Sequence, residues 1–409
     1  MSGDMFIDSL KNMPSYKKLL EEIKMGSSPI SIHGLNDDNL GHFFYGINKH
    51  SKKQILIVTK DELKAKSIFE DLKNFANSHV EIFPSKEIFF YDVDALSLET
   101  VHERLKVMTR LIKGEKIVVV TCIEAILSKV MNAEIFKKLS TKIRYDEKLN
   151  LKKFVEDLTI KGYERVNMVE GKGQFSVRGG IIDFFSPGEQ FPIRIELFDD
   201  EIDSIRNFNI SDQRSMNKLD SAFIPPAKEI LILDEYKSKI IEGIERDLSK
   251  VSKNKRIKDK SEKLNKKFLK YIDAVEGNLS IANSDLIIPY IPGEYVSSLV
   301  DYFSQDSLIV LHEFQRIEEK ANELKEQFVF KFSNIYESGE LLPNHEKILY
   351  RYDEIIKKVE EKITIITMSL LNDDSKFNPK VSINFTTKGM QSFHNNMNFL
   401  IEELNHYKY

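Results

Sequence analysis

Four short runs of β-branched and apolar residues constrain this chain more than any other feature: PISIHG (29–34), QILIVT (54–59), HVEIF (79–83) and KIVVVT (116–121). Helical stretches, such as 60–77 and 97–113, lie between them. Buried runs separated by helices point to βαβ units and a parallel sheet. A chain of 409 residues with 41% apolar content has room for two or three domains with real cores.

From about Lys152 the pattern changes. LKKFVEDLTIKGYERV reads as a helix ending near Gly162, and QFSVRGGIIDFFSPGEQFPIRIELFDD (174–200) reads as a β-hairpin. A third strand, EIDSIRNFNI (201–210), comes after the turn at 199–200, and IPPAKEILIL (224–233) closes the unit with a proline-rich linker and a strand. The α/β pattern then resumes. DLIIPY (285–290), SLIVLHE (307–313) and KITIITM (362–368) read as strands, and FQRIEEKANELKEQF (314–328) as a helix. The expected organisation is a split α/β domain (1–150 and 223–385) interrupted by a small antiparallel insert (151–222), with 386–409 starting a following domain or linker helix. The last residues, NNMNFLIEELNHYKY, stop inside an amphipathic helical pattern, so the chain is expected to be a fragment of a longer protein.

Cys122 is the only cysteine, which excludes an intramolecular disulfide and suits a reducing cytosol. No signal peptide or run of ~20 apolar residues occurs, so no membrane partner and a cytoplasmic location are expected. The net charge of −4 does not announce a nucleic-acid binder.

Catalytic chemistry is sparse. A phosphate loop needs glycine backbone, a lysine and a hydroxyl at fixed spacing. The first strand-to-helix turn, SIHGLNDDNLGHFF, has Gly34 and Gly41 but no lysine, and Asp37 and Asp38 stand where phosphates would go. It reads as an abandoned nucleotide site, or as a loop that never bound phosphate; both exclude ATP there. SLIVLHEFQ ends a buried strand with His312 and Glu313, where an ATPase carries Asp-Glu. The histidines are scattered without metal-ligand spacing, so no metal is expected. No nucleophile elbow occurs, and no catalytic residue is assigned.

The hairpin is more informative. Strand side chains alternate between faces. Counted by parity through residues 174–198, the odd face (Phe175, Val177, Ile181, Phe185, Ile193, Ile195, Leu197) is hydrocarbon apart from Asp183. The even face mixes Gln174, Ser176, Arg178, Ile182, Phe184, Arg194, Glu196 and Phe198. An ordinary solvent face leaves Phe184, Phe198 and Ile182 wet. A nucleic-acid face is opposed by Glu196. Arginine and aromatics among mixed charges fit a protein-binding face best. With the turn centred on Gly188, Arg178 falls near Phe198 and Ile182 near Arg194; Gly179 and Gly180 are the place for a bulge. Side chains on this face are expected to stand in solvent and to matter little for folding.

Residues 235–273 read as helical and lysine-rich, with Lys250, Lys253, Lys255, Arg256, Lys258, Lys260, Lys263, Lys266, Lys267 and Lys270. A solvated face is the plainer reading of 250–270, and a DNA-binding stripe the alternative.

FSVRGGIIDFFSPGEQFPIRIELFDDEIDSIRNFNISDQRS resembles the corresponding segment of the bacterial transcription-repair coupling factor family and, more distantly, the excision-nuclease subunit UvrB. FPSKEIFFYD and HERLKVMTRLIKGEKIVVVTCIEAIL look like the first α/β lobe of that family, and FTTKGMQSFHNNMNFLIEELN like the start of the region after it. The resemblance implies a RecA-like, helicase-like parallel-sheet domain without a working ATP site, and an insert that recruits UvrA through Arg178, Arg194, Glu196 and Phe198. It implies no cofactor here: ATP and Mg2+ serve a translocase motor beyond residue 409, and RNA polymerase and duplex DNA are partners of other parts of the full-length protein.

Overall fold

The computed structural model describes residues 7–76, 79–88, 90, 98–254, 258–277, 279, 281, 283–368, 378–387 and 397–406. The first half of the frame holds strands β1 (Ile30–His33), β2 (Ile55–Thr59), β3 (Val80–Phe83) and β4 (Val118–Cys122), with helices α1 (Pro14–Met25), α2 (Asp37–Ser51), α3 (Glu62–Ala76) and α4 (Leu98–Ile112). Short α5 (Ile123–Leu127), β5 (Val130–Met131) and α6 (Ala133–Leu139) lead to β6 (Thr141–Arg144) and α7 (Leu151–Ile160). Six strands of the insert come next: β7 (Glu164–Arg165), β8 (Gln174–Arg178), β9 (Ile181–Phe184), β10 (Ile193–Phe198), β11 (Glu201–Phe208) and β12 (Ser215–Lys218). β13 (Ser221–Ile224) returns the chain to α8 (Lys237–Lys253), α9 (Ser261–Glu276) and β14 (Val296–Ser297). The frame is completed by β15 (Leu308–His312), α10 (Phe314–Glu337), α11 (Tyr352–Glu360), β16 (Ile363–Met368) and β17 (Val381–Asn384), before α12 (Met397–His406).

Seven strands form one parallel sheet in the order β17-β1-β16-β15-β2-β4-β3. Strands from before and after the insert therefore interleave in a single α/β layer, and the frame is split as the sequence pattern requires. Both sheet faces are covered. Leu56, Val58, Val119 and Ile309 point into one apolar cluster with α4 and α10, and Ile55, Ile57, Val118 and Val310 into the other with α2 and α3. Double coverage explains why these strands read as unbroken apolar runs.

Two expected strands are absent. DLIIPY is a 3-10 helix, Ser284–Tyr290: Pro289 has no N–H for a ladder, and Asn283 captures the Asp285 amide locally. EILIL keeps its alternation, with Leu231 in one cluster and Ile230 and Ile232 against another, but it forms no strand. The helix read as 314–328 runs on to Glu337, and β17 and α11 are additions to the sequence reading.

The insert is a six-stranded sheet, β12-β11-β10-β9-β8-β7, backed by α7. All neighbours are antiparallel except β7 and β8. Its stem is the β6–β13 pair, which sets Thr141 opposite Ile224 and Arg144 opposite Ser221.

Candidate partner-docking face

The expected continuous arm from 174 to 185 is two strands. Arg178 pairs with Ile181, and Gly179 and Gly180 make a two-residue turn rather than a bulge. Gly179 takes φ +61°, which a glycine tolerates at the first position of such a turn. A Cβ on Gly180 would lie 2.9 Å from the Leu197 carbonyl oxygen, so the turn can press against β10 only without a side chain.

That turn reverses parity. On β9 the core side chains are Ile182 and Phe184, both fully buried, and not their odd neighbours. The expectation that Ile182 and Phe184 share the polar face is thus corrected. Asp183, assigned to the hydrocarbon face, stands on the polar one. The chain between β9 and β10 reverses parity again, pairing Asp183 with Arg194 and Ile182 with Ile195. Ile182 is therefore not a face partner of Arg194. The two reversals cancel, and Arg194, Glu196 and Phe198 rejoin Arg178 on one face.

Asp183 organises that face. Its carboxylate is 1% exposed. Arg194 donates to it twice, Nε to Oδ1 at 2.7 Å and Nη2 to Oδ2 at 2.9 Å. Arg178 donates from Nη2 to Oδ2 at 2.6 Å. Arg194 also donates to the Gln213 carbonyl at 3.1 Å and lies 4.6 Å over the Phe208 ring. The Asp183 carboxylate, above all other influences, holds the Arg194 pKa higher still than the ordinary guanidinium range. Such charge-assisted, bidentate pairs are strong and fix orientation. They leave the Arg194 side chain 12% exposed and that of Arg178 45% exposed. The expectation that both arginines stand free in water fails for Arg194: it is spent on Asp183. Glu196 is half-buried and accepts from Ser204 Oγ at 2.7 Å.

Phe198 comes after a register shift between Glu196 and Leu197 and is 80% exposed, while Leu197 packs on the insert core. One end of the polar face is closed by Val169, Phe185 and Phe208. The other end, at the Gly179–Gly180 and 199–200 turns, presents Arg178, Glu196 and Phe198. The arrangement offers a desolvatable ring, a pre-aimed guanidinium and one carboxylate, which suits recognition rather than bond-making.

The other predicted residues gather at the β1–α2 turn. Gly34 has φ +79°, and a Cβ there would overlap the Phe385 carbonyl oxygen. Residues 385–387 cross the loop: Thr387 Oγ1 accepts from the Asn36 amide at 3.1 Å and donates to the Gly34 carbonyl at 2.7 Å. Asp37 and Asp38 lie in the first turn of α2, and Gly41 lets α2 approach the Asp71 backbone. Lys64 Nζ sits 2.6 Å from Asp37, and His312 Nε2 is 4.0 Å away. Burial raises the Asp37 pKa, but the Lys64 hydrogen bond and charge bring it below the usual value. Burial pushes His312 down to about 4, and its Nδ1 meets Thr367 Oγ1 at 2.9 Å. Glu313 heads α10 at φ +58°.

Several of the lysines are occupied. Lys263 pairs with Glu340, Lys267 donates to the Glu340 carbonyl at 3.1 Å, and Lys260 donates to the Glu337 carbonyl, so these three fasten α9 to the end of α10 and the turn after it. Lys255 and Arg256 lie outside the described residues. Among the described residues, no helix is long and apolar enough to cross a membrane.

The insert is thus a β-sheet with an ordered arginine-aromatic face, carried on a parallel α/β frame. The family described as the UvrB interaction domain matches residues 141–230, the stem and the whole sheet. Beyond the insert, the chain is 30% identical over 405 residues, 98% of its length, to the transcription-repair-coupling factor of Bacillus subtilis strain 168. It is 29% identical over 364 residues, 87% of its length, to that of Staphylococcus aureus strain bovine RF122 / ET3-1. The resemblance to these factors thus runs through the frame as well as the insert. The chain spans about a third of the length of the curated relatives it matches: 34% of the first and 30% of the second.

Proposed function

We propose that this chain is the recruiting module of a transcription-coupled DNA repair factor, and that the open end of its polar insert face docks UvrA. The observation that carries the reading is the pairing of a fixed cation with a free ring. Asp183 holds Arg178 in place, and Phe198 stands 80% exposed at the same end of the sheet, next to the Leu197 amide that meets the Gly180 carbonyl. Arginine and aromatic anchors dominate interface energetics, and pre-ordering lowers the entropy lost on binding. The resemblance to coupling factors along nearly the whole chain supports the same partner.

The β1–α2 loop supports a second part of the reading, that this module turns over no ATP. Its amide is engaged by Thr387, and Lys64 neutralises Asp37 from within the chain. The translocase motor and the contacts to RNA polymerase and duplex DNA then belong to the remaining two-thirds of such a factor. The alternative of a DNA-binding stripe at 250–270 is weakened by the lysines already bonded to residues 337 and 340.

Binding to purified UvrA, followed by calorimetry, tests the docking face. Phe198→Ala and Arg178→Ala should each cost on the order of 2 kcal/mol, roughly a thirtyfold loss. Phe198→Ala should melt near the parent, and Arg178→Ala slightly below it because it loses the bond to Asp183. Parent-like affinity in both folded variants moves the docking site elsewhere.

A further inference from the structure

The polar face carries more cations than its own acids can neutralise. Across β12, β11, β10, β9 and β8, one row of directly opposed residues reads Lys218, Arg206, Arg194, Asp183, Ser176. Three cations stand in that row against one carboxylate. Both oxygens of Asp183 are taken by Arg194 and Arg178. Glu196, in the neighbouring row, accepts from Ser204. Nothing is left for Arg206. Among the described residues its guanidinium has no ion pair or hydrogen bond, and its Nε is buried without a partner. Like charges directly opposite one another destabilise a strand pair, and an unpaired buried donor adds to that cost. A row of this kind works against the free sheet, and an acid from outside would relieve it more fully than solvent does at the half-buried Arg206.

We propose that Arg206 is a further anchor of the docking face, and that the partner brings a carboxylate to it. The inference rests on the reading that this face docks UvrA, and adds the chemistry of what faces it. The partner patch is apolar where it meets Phe198 at the turn end, and acidic where it meets β11 and β12. Arg206 is half-buried, so its guanidinium is oriented by the strand while an edge stays open for a two-point carboxylate contact. Lys218, exposed on the edge strand, extends the positive field without fixed geometry. A phosphate backbone fits the same cations less well, because Asp183 and Glu196 lie among them on the same face.

The experiment measures affinity and association rate of the chain with UvrA at low and at about 0.3 M salt. Arg206→Met should weaken binding about tenfold, Arg206→Glu by more, and Arg206→Lys by less than Arg206→Met. Lys218→Glu should slow association at low salt and have little effect at high salt. Arg206→Met should melt at or above the parent temperature, because it removes an unpaired charge; a merely structural arginine would lower it. If Phe198→Ala loses affinity while Arg206→Met and Lys218→Glu bind like the parent, the acidic-partner inference falls and the docking reading stands. If all three bind like the parent, the docking reading falls with it. Loss of duplex-DNA binding in the Arg206 and Lys218 variants, with UvrA affinity intact, also overturns the inference in favour of a nucleic-acid role.

Discussion

Asp183 is the residue on which the docking face turns. A buried carboxylate is tolerated because two guanidiniums surround it, and removing one partner of such a set leaves charge uncompensated. The two arginines are not equivalent in this respect. Arg194→Ala strips three hydrogen bonds and the Phe208 contact, and should cost about 3–5 kcal/mol. Arg178→Ala leaves the bidentate pair in place and should cost about 1 kcal/mol, in line with a half-exposed ion pair. Urea melts of the two variants check this, and equal destabilisation would contradict the ordering. Any loss of partner binding in Arg194→Ala therefore mixes lost contact with lost fold, which is why Arg178 and Phe198 are the cleaner probes. Alternation along a strand was legible in the sequence, but the importance of Asp183 was not, because parity was counted straight through Gly179 and Gly180. Gly-Gly is a hairpin dipeptide, and reading it so would have flipped β9 and found the acid. Arg206 was missed for a different reason: its significance lies in a cross-strand row that only the register reveals.

Among elements, the central parallel strands were the easiest to read, since burial on both faces makes them mostly apolar, while the edge strand β17, with Ser382 and Asn384, was missed. DLIIPY and EILIL were misread because apolar runs of that length do not say whether a neighbour is there to pair with. The β1–α2 turn shows the converse limit. Its acids and its missing lysine were visible in the sequence, while the 385–387 segment that engages it comes from more than 340 residues away and left no local trace. That loop argues for a specific outcome. Purified chain should hydrolyse ATP no faster than a buffer blank, with or without duplex DNA, and Glu313→Gln should change nothing. Turnover well above the blank that disappears in Glu313→Gln would restore an ATPase site at the end of β15.

Taken as one folded molecule, the chain keeps several imidazoles away from water. Burial pushes both His312 and His345 down to about 4, and lowers His50 and His102 as well. With the ring neutral, His345 accepts the Leu342 amide at Nδ1, which also lies 3.0 Å from the Leu342 carbonyl, and donates from Nε2 to the Leu286 carbonyl. In the unfolded chain these groups take protons near pH 6.5. Between about 6.5 and 4 the unfolded state thus binds more protons than the folded one, and stability falls as pH falls. His312 and His345 each add up to about 1.4 kcal/mol per pH unit across that window. Urea midpoints at pH 7, 6 and 5 should decline, and His345→Gln should flatten the slope whatever it does to the level. A slope unchanged in that variant would exclude His345 as a contributor.

The insert meets the frame at its stem and again along α4, where Gly188 lies against Lys106 and Glu189 pairs with Lys113. Its entering and leaving strands, β6 and β13, are hydrogen-bonded to one another. Just beyond, Glu229 is held by the fully buried Arg104, which also grips the Pro84 carbonyl and Ser128. Entry and exit are therefore a fixed distance apart, whatever happens between them. In the terms of descent, this separates two inheritances. Turns such as those at 199–200 and 209–214 can lengthen, shorten or change composition without moving a strand of the seven-stranded sheet. Away from α4, the frame can drift in its own surface without touching the face that Asp183 organises. A lineage whose docking partner changes can adapt to it by altering the sheet beyond the stem, with the seven-stranded frame left as it was.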